Sequence, residues 1–276
     1  MIKIMVDSAS DCRDQKELYD YFVPLTVHIA GQDYKDGVDL DRDTFYKLLT
    51  TTGEFPKTSQ PSPDDFLQYF KDAKRNGDEI ICFCLSSALS GTYQSACIAK
   101  DMAEYNGIYV IDTRAVTHMI AYLAAYARKL AADGLSAAEI AEKCEALKEK
   151  VKVLAGLDTL EYLYKGGRLS RASAAVGEIA GIKPIVTVTE EGKVNAGSKA
   201  IGLNRAVQTL LTKMGAFEID ESFPIFTVYT YGTENVEKLE ARLSAAGYSP
   251  AERLQVGSTI GAHVGPGVYG VLFVTK

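Results

Sequence analysis

Glu79-Ile80-Ile81-Cys82-Phe83-Cys84-Leu85 runs into Ser86-Ser87-Ala88-Leu89-Ser90-Gly91-Thr92-Tyr93-Gln94-Ser95-Ala96, and this junction decides how the chain is read. The first part is a short apolar run of the kind that forms a buried strand. The second is rich in hydroxyls, is broken by one glycine, and leads into a helical pattern. A strand feeding such a turn into a helix N-terminus makes an anion site, because free N–H groups and the helix dipole face whatever sits there. Ser90 stands where an N-cap stands, and Gly91 lets a ligand approach the backbone closely. Two roles are open to Ser90: capping its helix, or meeting an anion.

Outward from this junction, the chain has room for one large domain or two ordinary ones, at 276 residues. Hydrophobic residues at 47% and charged residues at 24% suit a globular protein rather than a disordered or membrane class. A formal charge of -6 argues against nucleic acid or an anionic membrane surface as the main partner. The N-terminus meets Asp7 before a signal-peptide apolar region forms, and Arg128 and Lys129 interrupt the most apolar helix candidate. A cytoplasmic protein without stable membrane insertion is expected. Cys82 and Cys84 share one strand face and pack as small apolar groups in a reducing compartment. No Cys-x-x-Cys occurs and His28, His118 and His263 lie far apart, so no metal site is expected.

Residues 2–6 read as a first strand, residues 14–21 as a short helix, and residues 22–34 as a hairpin turning at Gly31. Asp41 caps a helix to Leu49, and Ser62 with Pro63 opens another, which leaves Thr58 and Ser59 unexplained by capping. Residues 108–113 form a strand, followed by a helix covered on all sides and by a helix from the Ser136/Glu139 capping box to about Val151. Alternating strands and helices predict a Rossmann-like, mostly parallel sheet. Beyond Leu154 the pattern changes: a helix ends at Gly166-Gly167 with Arg168 beyond, and residues 182–198 form a hairpin. Helices at residues 203–214 and 234–246 surround a strand at 225–231. Residues 253–256, a glycine-rich turn holding His263, and a strand at 268–274 close the chain. The expected architecture is a two-domain α/β protein: an N-terminal α/β domain over residues 1–150, and a C-terminal α+β domain with a mixed sheet over residues 151–276.

Three polar turns stand out, at Thr58-Ser59-Gln60-Pro61, Leu89-Ser90-Gly91-Thr92 and Gly261-Ala262-His263-Val264-Gly265-Pro266-Gly267. A cleft shared between the domains would bring them together. The nucleotide phosphate loop Gly-x-x-x-x-Gly-Lys-Ser/Thr is absent. So is the Gly-x-Ser-x-Gly elbow, since Ala88 stands two before Ser90. Ser90, Asp112 and His263 can be written in hydrolase order, supported only by residue type. His263 and Arg168 also have local roles, in the turn and at a helix C-terminus.

Together Lys57-Thr58-Ser59-Gln60-Pro61-Ser62, residues 86–96, residues 158–170 and residues 261–270 resemble the DegV family of bacterial fatty-acid-binding proteins, which includes the binding subunits of fatty acid kinase. The matches fall in the family's order over nearly the whole chain, and Asp7-Ser8-Ala9-Ser10-Asp11 also fits. The resemblance implies two α/β domains with a long-chain fatty acid such as palmitate, stearate or oleate between them. It implies a carboxylate held by hydroxyls at Thr58 and Ser90 with His263 nearby. The candidate ligand-binding residues are Thr58, Ser59, Ser90, Gly91, Thr92, Arg168 and His263, with no catalytic residue and no cofactor. It further implies a separate ATP-using kinase subunit as partner, which would phosphorylate the bound carboxylate for phospholipid synthesis. Met119 and Ala121 stand where the family usually has glycines, so Met119 is expected to shorten or bend the tunnel if its helix lines it. Cys12 replaces a usual aliphatic residue. The alternative is a serine hydrolase acting on acyl esters or thioesters through Ser90.

Overall fold

The computed structural model describes residues 1–170 and 181–276. Elements are numbered here in chain order. The apolar run forms β6 (Glu79–Cys84), which lies between β1 (Ile2–Asp7) and β7 (Ile108–Asp112), with β2 (Tyr21–Val23) beyond β1. All three pairings are parallel. Side chains alternate across a strand. Thus Ile80, Cys82 and Cys84 pack with α2 (Pro63–Asn76) and α3 (Thr92–Ala103), while Ile81 and Phe83 pack with α4 (His118–Ala132) and α5 (Ala137–Lys148). The Cys82 and Cys84 sulfurs lie 3.7 Å apart on the one face, both buried.

The second sheet has six strands in the order β10-β9-β8-β13-β11-β12, made by β8 (Val151–Gly156), β9 (Ile182–Val188), β10 (Val194–Ile201), β11 (Phe226–Tyr229), β12 (Glu252–Gln255) and β13 (Tyr269–Val274). It is mixed, since only the β11–β12 pair is parallel. One face carries α7 (Leu203–Met214) and α8 (Glu234–Ala245) over a core that includes Leu210, Leu239 and Phe273. Its other face contributes Val153, Val228 and Leu272 to the core that also holds Ile81 and Phe83 of β6. A small antiparallel sheet, β4 (Gln32–Lys35), β3 (Thr26–Ile29) and β5 (Lys57–Ser59), packs with α1 (Arg42–Thr52) beside α9 (Ser258–Val264). The short α6 (Glu161–Lys165) completes the described helices.

Capping chemistry sets several boundaries as expected. Asp41 accepts from the Thr44 N–H, and capping boxes form at Ser62/Asp65 and Ser136/Glu139. Four local expectations are corrected. Residues 14–21 hold only a short 3-10 turn, Lys16–Leu18, before Tyr21 joins the sheet as β2. The helix after Ser136 stops at Lys148, and the β-branched Val151 and Val153 open a strand instead. Residues 258–264 are helical rather than a turn: Gly261 sits in that helix because a Cβ would collide with Tyr46 and Phe45 of α1. Finally, α4 is covered all round only as far as Ala124, beyond which Ala125 and Lys129 are exposed.

In the middle of the second sheet Gly156 of β8 stands directly opposite Tyr269 of β13, whose fully buried ring occupies the space a Cβ would need. Gly156→Ala is expected to destabilise the protein by about 1–3 kcal/mol through overpacking. A urea midpoint unchanged from the parent would contradict this.

Candidate ligand-binding site

A cavity of about 870 Å³, counting all space between the lining atoms out to the mouth, is walled from both large sheets. On one side are the segments leaving the carboxyl ends of parallel strands: Leu85, Leu89 and Ser90 after β6, and Val116 and Thr117 after β7. That is where open α/β sheets place ligands. On the other side are aliphatic side chains of the second sheet, among them Val153, Ala155, Val186 and Val228. The lining thus draws on residues from both sides of position 150.

Thr58, Ser90, Arg168 and His263 bring polar groups to this aliphatic space. Thr58 reaches it as the middle residue of β5, and its Oγ1 lies 2.8 Å from His263 Nε2. Ser90 Oγ lies 2.9 Å from Thr92 Oγ1 and accepts from the Thr92 N–H at 3.3 Å. Arg168 is half-buried, with Nε donating to the Leu89 carbonyl and Nη1 to the Gly166 carbonyl. Burial, helped by the neighbouring Arg168 charge, pushes the His263 pKa down to about 4, so its ring is neutral at physiological pH. Among the described residues its Nδ1 has no hydrogen-bond partner, and the ring rests against Gly166, where any Cβ would collide with it.

Three other candidates lie outside the lining. Ser59 is exposed and its Oγ bonds His28 Nε2 at 2.7 Å. Gly91, not Ser90, occupies the N-cap position of α3, and the space a ligand was expected to use there is filled by the Gln60 side chain. Thr92 is fully buried and touches the site only through Ser90. Met119 is buried but does not line the cavity; Val116 and Thr117 do so instead.

The hydrolase arrangement is not assembled. The Asp112 carboxylate is engaged by Ser87 and by the Arg114 N–H, His263 Nε2 by Thr58, and Ser90 by Thr92. No acid orients His263 among the described residues, although a triad requires one. Among the described residues, too, no group of three or more His, Cys, Asp or Glu is placed to hold a metal.

The family model described as "Uncharacterised protein, DegV family" matches residues 1–276. The chain belongs to the DegV family. A DegV domain-containing protein of Caldanaerobacter subterraneus subsp. tengcongensis is 38% identical over 279 residues, covering 100% of this chain and 99% of that protein. Among solved structures, a fatty-acid-binding DegV family protein from Thermus thermophilus superposes with a TM-score of 0.88 at 30% identity, covering 100% of this chain and 99% of that one. The Fatty Acid Kinase B3 protein of Streptococcus pneumoniae, loaded with linoleic acid, superposes with a TM-score of 0.87 at 26% identity, covering 100% of both chains.

In this DegV chain, sequence reasoning missed the groups that hold the cavity walls. Asp7 accepts from the Leu85 N–H at 2.6 Å, Asp11 from the Thr117 hydroxyl at 2.6 Å, and Asp36 from the Thr259 N–H and hydroxyl at 3.1 and 2.5 Å. Leu85, Thr117 and Thr259 all line the cavity. The three acids are themselves buried, and burial raises all three pKa values, those of Asp7 and Asp11 to about 7. Position and the family resemblance of residues 7–11 gave the signal: Asp7 and Asp11 flank a short turn after the first strand, and nothing in the spacing links Asp36 to them.

A carboxyl whose folded pKa lies above its unfolded value of 3.8 contributes stability that is full below that value and is lost as pH rises through about 7. His118 and His263, both pushed to about 4, act oppositely between about 4 and 6.5, but equally in parent and variant. Asp11→Asn, which can still accept from Thr117, is therefore expected to shrink the stability lost between pH 5 and pH 8 by about 2 kcal/mol. Urea unfolding at both pH values tests this, and superimposable pH profiles would refute it.

Proposed function

We propose that this DegV-family protein binds one long-chain fatty acid in the cavity and is not itself a catalyst. On this reading it presents the carboxylate to a separate ATP-dependent kinase subunit and carries fatty acid or acyl phosphate onward. Residues 1–150 and 151–276 are its two domains, with the lipid between them. One observation carries the proposal: an aliphatic cavity whose lining includes the Thr58 and Ser90 hydroxyls, a neutral imidazole and a half-buried guanidinium. The similarity to the linoleic-acid-loaded kinase B3 protein supports both ligand and partner. Among the described residues no helix is long and apolar enough to cross a membrane, and the net charge is -6, in keeping with a cytoplasmic carrier that does not bind nucleic acid.

The hydrogen-bond pattern suits a carboxylate. With its proton on Nε2, His263 donates to Thr58, leaving the Thr58 hydroxyl hydrogen free for an anion. Ser90 is backed in the same way: it accepts from the Thr92 N–H, and when the Thr92 hydroxyl also donates to it, its own hydrogen is free. Arg168 supplies positive charge while its Nε and Nη1 are occupied by carbonyls. Roughly fourteen methylenes of a palmitoyl chain at about 0.8 kcal/mol each give about 11 kcal/mol before ordering costs. Each hydrogen bond to the carboxylate adds about 1.5–3 kcal/mol at most. The tail supplies affinity and the head-group residues fix orientation.

Protein purified gently from bacterial cells is expected to release a fatty acid detectable by mass spectrometry after extraction. Lipid-free protein that takes up neither labelled palmitate nor labelled oleate would count decisively against the proposal. Ser90→Ala is expected to lower phosphorylation of bound fatty acid by a kinase subunit more than it lowers binding; equal losses would make Ser90 an anchor only. Stoichiometric labelling of Ser90 by a fluorophosphonate would favour the hydrolase instead.

A further inference from the structure

The small sheet has two faces. Val27 and Ile29 of β3, Tyr34 of β4 and Thr58 of β5 turn inward, to the core shared with α1 or to the cavity. Side chains alternate along a strand, so Thr26, His28, Asp33, Lys35, Lys57 and Ser59 share the outer face. The strand registers set them in two rows across the sheet. Asp33, His28 and Lys57 stand side by side in the first row, and Lys35, Thr26 and Ser59 in the second. Thr26 and His28 are half-buried, and the other four are exposed.

On this outer face an aspartate, a histidine and a serine are linked in series. His28 Nδ1 lies 2.6 Å from Asp33 Oδ1, and His28 Nε2 lies 2.7 Å from Ser59 Oγ. A carboxylate only accepts, so in the neutral ring the proton is on Nδ1 and is donated to Asp33. Nε2 then carries a lone pair, and the Ser59 hydroxyl donates to it. Nucleophile, base and orienting acid thus share the contacts and the tautomer by which a serine is activated, a constellation recognised by geometry rather than by position in the chain. Ser90 and His263 lack it, for among the described residues no acid orients that ring.

Two further features narrow the reagent. Lys57 stands two residues before Ser59 on β5, and Lys35 lies in the row of Ser59 with Thr26 between them. Neither ammonium has a partner among the described residues. Neighbouring strands lie about 4.8 Å apart and residues two apart on a strand about 6–7 Å, so both long side chains can reach a group bonded at Ser59. Two unpaired cations favour an anionic donor. That donor comes from solvent: β5 is an edge of its sheet, Ser59 is exposed, and a carboxylate beside Thr58 lies on the other side of the strand.

We propose that Ser59 is a self-acylation site that takes its acyl group from a soluble acyl phosphate. Ser59 Oγ bonds to the carbonyl carbon, the bond from that carbon to the phosphate oxygen breaks, and phosphate leaves with the electron pair. The serine proton passes to His28 Nε2 and from there to the departing phosphate, whose charge Lys35 and Lys57 offset. The product is one ester on Ser59, a covalent modification of the chain that goes beyond the fatty-acid reading and does not rest on it.

The full chain incubated with acetyl phosphate is expected to gain an acetyl group that maps to Ser59 by mass spectrometry and is released by hydroxylamine. Ser59→Ala is expected to lose that group, and His28→Gln, whose amide cannot take the proton, to acquire it about a hundredfold more slowly. A fluorophosphonate, which carries no negative charge, is expected to label Ser59 as well. Replacing Lys35 and Lys57 together by alanine is expected to slow acetylation about fivefold and to leave fluorophosphonate labelling unchanged. Acetylation confined to lysines in the parent, or a rate at Ser59 unchanged in His28→Gln, would overturn the site. A lysine pair whose loss slows both reagents alike, or neither, would overturn the anionic donor.

Discussion

Three buried carboxylates hold the cavity open. Asp7 ends β1, Asp36 follows β4 and Asp11 closes the turn after β1, and each fixes a cavity-lining residue in a different segment. Burying a carboxylate is costly unless it is hydrogen-bonded or protonated, and the raised pKa values say that protonation meets part of that cost. The fold accepts this because the alternative is worse. The Leu85 N–H, the Thr117 hydroxyl and the Thr259 N–H all lie in buried residues, where unpaired polar groups would cost as much. The Asp36–Thr259 bonds also seat α9 against the small sheet, and α9 carries His263 to Thr58. Geometry at the polar groups of the cavity therefore depends on acids that never touch it.

On the proposed function, the same frame explains how tail and head group divide the work. Aliphatic side chains of the second sheet and of the turns after β6 and β7 supply a non-directional surface that suits many acyl chains. Thr58, Ser90 and His263 supply direction. With the His263 proton on Nε2 and the Thr92 hydroxyl donating to Ser90, each of the two hydroxyls is backed by a donor and its own hydrogen is left for an anion. A carboxylate held by neutral hydroxyls, rather than gripped by a bidentate arginine, keeps oxygen lone pairs accessible. That suits the phosphoryl transfer to the bound head group that the proposed function requires.

Much of this was legible in residues with strong local chemistry. The apolar run at Glu79–Cys84, the capping residues Asp41, Ser62 and Ser136, and the turns around Gly31 and Gly192 read correctly because capping, turn and burial preferences agreed with the fold. What failed were the places where long-range packing decides. Val151–Gly156 follows a helix without a breaker, so its β-branched residues decided nothing until pairing with β13 and β9 made it a strand. The glycine in α9 looked like a turn because its partner, Tyr46, lies far away in sequence. At the site, Thr58, Ser90, Arg168 and His263 converge, whereas Ser59 and Gly91 looked equivalent to them only as sequence neighbours. Of the buried acids, Asp7 and Asp11 showed only in the turn after the first strand, and Asp36 carried no local pattern.

Two histidines now stand in comparable states. His263 and His118 are both buried and neutral, each bonded through Nε2 and, among the described residues, unpartnered at Nδ1. Their partners differ, and that difference assigns them different work. His263 shares its bond with a hydroxyl, which can pass polarity on to a ligand; His118 spends its proton on a backbone carbonyl, which cannot. On the proposed function, polarity at His263 passes through Thr58 toward the acyl carboxylate, whereas the His118 bond to the Gln255 carbonyl ties the start of α4 to the end of β12 and so holds one wall of the cavity against the other sheet.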